Sequence, residues 1–191
     1  MSYIIIGIIA FLFFILYDFN SINMNLKWIH SSFFIGCILL ATASCGIVIS
    51  SLEITVPPLS QILIFGTVSL IFFMLLIYTL FFALPFGDTY MQSDKPPKTC
   101  HSGVYALCRH PGELWLIGFY LFFWLSLGGF LALTACILFS LFNLFYIIIQ
   151  DRWSFMKTFS DYNEYKETTP FLIPTKHSIR RCLNTLQFNR R

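Results

Sequence analysis

The sequence predicts an all-α integral membrane protein of about five transmembrane helices, the last two forming a hairpin, with a C-terminal segment on the cytoplasmic side. Three observations predict it. Of 191 residues, 57% are hydrophobic and only 11% charged, against about 25% charged in soluble domains. Apolar runs recur at lengths that cross the bilayer core, about 20 residues in a helix. The lysines and arginines are confined to alternate loops. Little chain is left for a separate soluble domain, so residues 1–175 read as a single transmembrane domain and 176–191 as a basic tail.

The elements follow in order. Tyr3–Tyr17 is short for a span, and Met1 and Phe19 extend it if Asp18 sits at the membrane interface. It reads as a span rather than a cleaved signal peptide, because no Lys or Arg precedes it and no small-residue cleavage site closes it. Trp28–Ser50 is long enough to cross, and Leu59–Leu84 is longer than needed, which predicts a tilt. Leu114–Ile149 exceeds one span, and Gly128-Gly129 interrupts it. Two glycines at a tight turn divide it into a span before them and a second over Phe130–Ile149. The 23 phenylalanines form an apolar background that reads as lipid-facing filler, without internal repeat.

The charges orient these spans. Lys27 falls between the first and second, Lys95, Lys98 and Arg109 between the third and fourth, and every other Lys and Arg after the fifth. All 12 cations therefore share one side, which the positive-inside rule assigns to the cytoplasm. The N-terminus is then outside and the tail inside; in a bacterium the membrane is the plasma membrane. Cys37, Cys45 and Cys136 lie within spans, and Cys100, Cys108 and Cys182 on the reducing side, so no disulfide framework is expected. Cys100, His101, Cys108 and His110 bring soft ligands together, but Cys108-x-His110 lacks the spacing of a zinc pair, and no metal is expected.

Two polar segments share the cytoplasmic side, Pro85–Gly112 and Gln150–Arg191. The hairpin returns the chain to the level at which it left, so Arg109, His110 and Asp151 converge although about forty residues apart. Ionisable groups at the edge of hydrocarbon are costly, which makes the cluster a candidate site. Pro111 can open a helix, whose free N–H groups and positive dipole suit a carboxylate. Arg109 adds a cation capable of a two-pronged carboxylate contact, and Asp151 suits an amine or a sulfonium. The plainer alternative makes Arg109 a positive-inside anchor and His110 an interfacial residue, with Phe159, Tyr162, Tyr165, Phe171 and Pro174 packing the tail. Asp88 and Tyr90 follow the third span and could line the same end, and His30, at the start of the second span, faces that interface and reads either as reaching the site or as an interfacial polar residue. In the tail, Ile179, Cys182, Leu183 and Leu186 recur at helical spacing among Lys176, Arg180, Arg181, Arg190 and Arg191. That suits either an interfacial helix on an anionic leaflet or a frayed basic end.

The run Gly103-Val104-Tyr105-x3-Arg109-His110-Pro111, followed by a glycine-turned hairpin, resembles the isoprenylcysteine carboxyl methyltransferase family and its phospholipid-methyltransferase relatives. The second element of that pattern is matched by Gln150-Asp151 through Phe159, Tyr162 and Tyr165, then Thr169-Pro170-Phe171-Leu172-Ile173-Pro174. The resemblance covers residues 100–175, with the two site segments at 100–113 and 150–174. It implies an S-adenosylmethionine-dependent methyltransferase with a cytoplasm-facing cofactor pocket. The acceptor, lipophilic or lipid-borne and on one reading a carboxylate, enters from the bilayer; no nucleic-acid partner is implied. By the same resemblance Tyr105, Arg109, His110, Pro111, Asp151, Phe159, Tyr162 and Tyr165 hold the cofactor, and Arg109, Asp151 and Glu113 carry the chemistry. The chain departs from the pattern in three places. Glu113 follows Gly112 where the family has an aromatic, and reads as an ion-pair partner of Arg109 or a substitute acid. Gln150-Asp151 replaces two glutamates, and Ser160 replaces a glycine. Two other readings stand beside this one: an NADPH-dependent, steroid-reductase-like enzyme, and a non-catalytic scaffold of the same fold.

Overall fold

A computed structural model describes residues 1–83 and 97–188, and among them there is no strand. Helix α1 covers Ser2–Asn23. A single 3₁₀ turn, Ile29–Ser31, leads into α2, Ser32–Ile54, and α3 covers Leu59–Phe81. A short α4, Val104–Leu107, precedes the hairpin of α5, Pro111–Leu127, and α6, Gly129–Ile149. A π turn over Gln150–Ser154 continues α6 into α7, Phe155–Thr158. Helix α8, Tyr162–Thr168, and α9, Lys176–Phe188, complete the described residues. Among the described residues, four stretches are long and apolar enough to cross a bilayer: Ser2–Asn23, Ile29–Ile54, Leu59–Phe81 and Gly129–Thr158. The protein is thus an all-α, multi-pass membrane protein. The 17-residue α5 is a shorter apolar helix.

Packing places the long helices in the order α2, α1, α6, α5, α3. The core runs along the middle of this row, where Phe11, Tyr120 and Phe139 are almost wholly enclosed. In lipid, close helix approach relies on small residues and a few polar bonds. Gly118 lets α5 lie directly against Phe72 of α3, and Gly7 lets α1 lie against Phe139 of α6. The Tyr120 hydroxyl lies 2.9 Å from Ser44 Oγ, joining α5 to α2. The hairpin turn rests on consecutive glycines at φ +69° and +74°, a left-handed conformation that costs glycine little; the turn falls where the sequence predicts it.

Several boundaries differ from expectation. The first helix does not stop at Tyr17 but runs through Asp18 to Asn23, 22 residues in all. Asp18 is buried within the bundle, and Gln150 Nε2 donates to its Oδ2 at 3.0 Å from the end of α6. A carboxylate with that partner inside the bundle removes the reason to end the helix there. The loop after α1 is held by Asn20, whose amide donates to Leu26 O and whose carbonyl accepts from Leu26 N–H, both at 3.0 Å. The second helix begins and ends four residues later than the apolar run that predicts it. The third ends at Phe81; Leu84, Asp88, Tyr90 and Lys95 lie outside the described residues.

Candidate functional site

The site is built where the segment between α4 and α5 meets the segment after α8. Gly103, at φ +59°, starts α4, and the chain then straightens through Cys108 at φ −158°. His110 precedes a proline, whose ring disfavours helical backbone at the preceding residue, and its φ of −124° keeps the segment extended up to the N-cap of α5. Here the backbone is free to pair. Arg109 N–H donates to Pro170 O at 2.9 Å and His110 N–H to Phe171 O at 3.3 Å. This two-rung ladder brings the proline-bearing tail alongside the Arg-His-Pro triplet. Thr99 and His101 pin the same end: Thr99 N–H donates to Asp161 Oδ1 at 2.8 Å, and His101 Nε2 lies 3.3 Å from Asp161 Oδ2.

Side chains complete the arrangement. Arg109 Nε donates to Asp151 Oδ1 at 2.8 Å and an η nitrogen to Oδ2 at 3.4 Å, the two-pronged contact expected of guanidinium. Its other η nitrogen donates to Thr169 O at 2.8 Å and Lys166 O at 3.1 Å, and its Cζ lies 5.6 Å from the centre of the Phe171 ring. Asp151, in the π turn, also accepts from the Tyr162 hydroxyl at 2.7 Å and has Lys166 Nζ 3.3 Å away. Turns of this kind recur at functional sites because the inserted residue re-aims a side chain. Burial and the Asp151 charge push the Tyr162 phenol up, so it remains a donor.

His110 is enclosed between Phe155, stacked at 5.7 Å, and the edge of Phe171 at 5.2 Å. Its Nε2 lies 3.4 Å from Asp151 Oδ1 but out of hydrogen-bond alignment. Burial pushes the imidazole below its ordinary range, and the neighbouring Asp151 only partly restores it, since that carboxylate already faces Arg109 and Lys166. His110 is therefore neutral in the fold, whereas in an unfolded chain it takes a proton near about pH 6.5. The stability tied to this group is full above that pH and is lost as pH falls below it. Melting temperature is expected to drop between about pH 7 and about pH 5, and the drop to shrink in His110→Gln, measured by thermal unfolding in detergent.

A cavity of about 380 Å³ opens beside this cluster, lined by Arg109, Ile148, Asp151, Arg152, Lys166 and Phe171. That volume lies within the range of small-molecule sites. Of the residues singled out from sequence, Arg109, His110, Asp151 and Tyr162 come together. Pro111 is buried at the start of α5, and Phe159 packs on Phe155 and Tyr162 behind the cluster. Tyr105 and Tyr165 form a separate brace: Tyr165 donates to Tyr105 O at 2.6 Å, and Tyr105 to Thr79 O at 3.0 Å. Glu113 is not an ion-pair partner of Arg109. It turns into the hairpin and accepts from Asn143 Nδ2 of α6, while its other oxygen is buried without a partner among the described residues. The cause is the backbone: Arg109 lies in extended chain and Glu113 in the first turn of α5, so four residues of separation do not put them on one face. His30 does not reach the site, since it pairs with Asn25 and edges onto Tyr17. Among the described residues no three or more His, Cys, Asp or Glu side chains are grouped to hold a metal.

Lys166 and Arg152 were not legible as cavity residues. Lys166 follows Tyr162 by four, the spacing that puts two residues on one helix face, and that signal points to it. No family model matches the chain, and no curated protein or solved structure matches it either. Fold and site thus define a class, a helical multi-pass membrane protein with a half-open, charge-lined cavity at one end of its hairpin.

Proposed function

We propose that the protein is a membrane-embedded methyltransferase that uses S-adenosylmethionine to methylate a lipophilic acceptor. The single observation that carries this reading is the cavity in which Arg109 and Asp151, 42 positions apart, face one another beside Phe171. The cofactor carries a carboxylate and two cationic centres. The lining offers Arg109 and Arg152 to the first, and Asp151 with the Phe171 ring to the others. When bound, the cofactor supplies a methyl group on sulfonium, which passes to a nucleophilic atom of the acceptor as the sulfonium becomes a neutral thioether. The chain's own task is positioning and electrostatics. On the positive-inside orientation the cavity faces the cytoplasm and the acceptor arrives from the bilayer.

One observation favours a second reading. The lining sets three cations against a single carboxylate, a balance that suits a phosphate-bearing ligand such as NADPH. The two readings make opposite demands on Lys166, whose ammonium lies 3.3 Å from Asp151 and is 30% exposed. A cofactor ammonium competes with Lys166 for that carboxylate, whereas a phosphate recruits it. In Lys166→Met, S-adenosylmethionine affinity is expected to rise about three- to fivefold, the scale of a partly exposed ion pair. Calorimetry on the detergent-purified protein, with both ligands run on wild type and variant, decides. NADPH binding that weakens in the variant selects the reductase, and binding of neither ligand to folded protein removes both enzyme readings.

A further inference from the structure

The tail helix α9 divides into two faces that do different work. Ser178, Arg181, Cys182 and Thr185 turn inward. Thr185 Oγ1 accepts from Gly103 N–H at 2.9 Å, and Arg181 donates to Thr169 Oγ1 at 2.6 Å and Ala106 O at 3.3 Å. The amphipathic spacing of the sequence is present, but Cys182 belongs to this inner face and is buried. Ile179, Leu183 and Leu186 form a separate stripe at positions i, i+4 and i+7, exposed at 43, 56 and 41%. Lys176 and Arg180, both exposed and four residues apart, run along one edge of that stripe.

An apolar stripe edged by cations is the pattern of a helix lying in the plane of a membrane interface. This chain already crosses the bilayer, so α9 is tethered near such a surface. Docking into headgroups buries the three aliphatic side chains to the depth of the acyl boundary and leaves Lys176 and Arg180 at phosphate level, where the long stems of Lys and Arg reach outward. Another protein surface would have to match both the stripe and its basic edge, while an anionic leaflet supplies both partners without further design.

We propose that α9 is an anionic-lipid docking helix that braces the segment carrying Arg109. The brace is short. Arg181 holds Thr169 by its hydroxyl, and Thr169 O accepts from Arg109; Thr185 holds Gly103, from which α4 departs toward the Arg-His-Pro triplet. Seating α9 on the leaflet fixes both ends of the ladder that joins the two site segments. The docking does not rest on the methyltransferase reading, because it needs no ligand in the cavity.

The test is hydrogen exchange, followed by mass spectrometry, on the full-length protein in nanodiscs. One set contains phosphatidylcholine alone and the other phosphatidylcholine mixed with phosphatidylglycerol. Amides of α9 and of residues 103–107 are expected to exchange more slowly in the anionic discs, with the gain lost in high salt. Each cation removed, as Lys176→Gln or Arg180→Gln, lowers the gain about fivefold, the worth of one charge at an anionic surface. Neither substitution touches the inner face, so the fold is kept. Equal protection in both lipids overturns the proposal. So does protection that follows the number of protein copies per disc rather than lipid charge, which assigns the stripe to a second copy.

Discussion

Arg109→Ala is expected to destabilise the protein by roughly 3–5 kcal/mol, the cost of leaving a buried charge without its partner, and to abolish ligand binding in the cavity. The guanidinium is 10% exposed and Asp151 8%. Removing it takes away both prongs on the carboxylate and the bonds to Lys166 O and Thr169 O together. Lys166 stays 3.3 Å from Asp151 but is more exposed and cannot hold two carbonyls of the tail. Asp151→Asn alone is milder, since Arg109 keeps Lys166 O and Thr169 O as acceptors and the amide keeps a polar group beside Tyr162. The double variant Arg109→Ala with Asp151→Asn is expected to be more stable than Arg109→Ala alone, because no uncompensated carboxylate remains. Arg109→Lys retains charge without the fork and falls between. Denaturant unfolding in detergent micelles measures the series. Additive losses in the double variant would mean that the pair is not energetically joined, and would undo the picture of a single charged centre.

What the sequence reveals of this centre depends on how far apart the partners lie. The meeting of Arg109 with Asp151 was legible because the two glycines fix a hairpin, and a hairpin brings its ends level. Asp18 was read only by the cost of a carboxylate in hydrocarbon, which moved it to an interface. Its actual partner, Gln150, stands 132 positions away, and no local pattern announces a bond of that range. The ladder between Arg109-His110 and Pro170-Phe171 was invisible for another reason, since it uses backbone groups that every residue carries. Side chains read from an extended segment into a helix are the least legible. Glu113 illustrates this, because proximity in sequence suggested Arg109 while the helix directs it to α6.

Glu113 then poses a question of its own. It is 1% exposed, with one oxygen bonded to Asn143 and the other unpartnered. A half-satisfied buried carboxylate is costly, and two accounts compete for why the chain keeps it. If it only pins α5 to α6, replacing both partners by leucine discards the cost along with the bond. Glu113→Leu with Asn143→Leu is then expected to be as stable as wild type or more so, as apolar replacement of buried polar pairs often is. Asn143→Leu alone strips the carboxylate of its bonded partner and is expected to lose about 1–3 kcal/mol or more. If Glu113 instead acts on an acceptor entering between α5 and α6, the double variant folds and binds cofactor but no longer turns over. Thermal unfolding, cofactor affinity and turnover, measured side by side on the two variants, separate the accounts. A double variant less stable than Asn143→Leu would contradict both, since it would show Glu113 stabilising the hairpin through contacts other than Asn143.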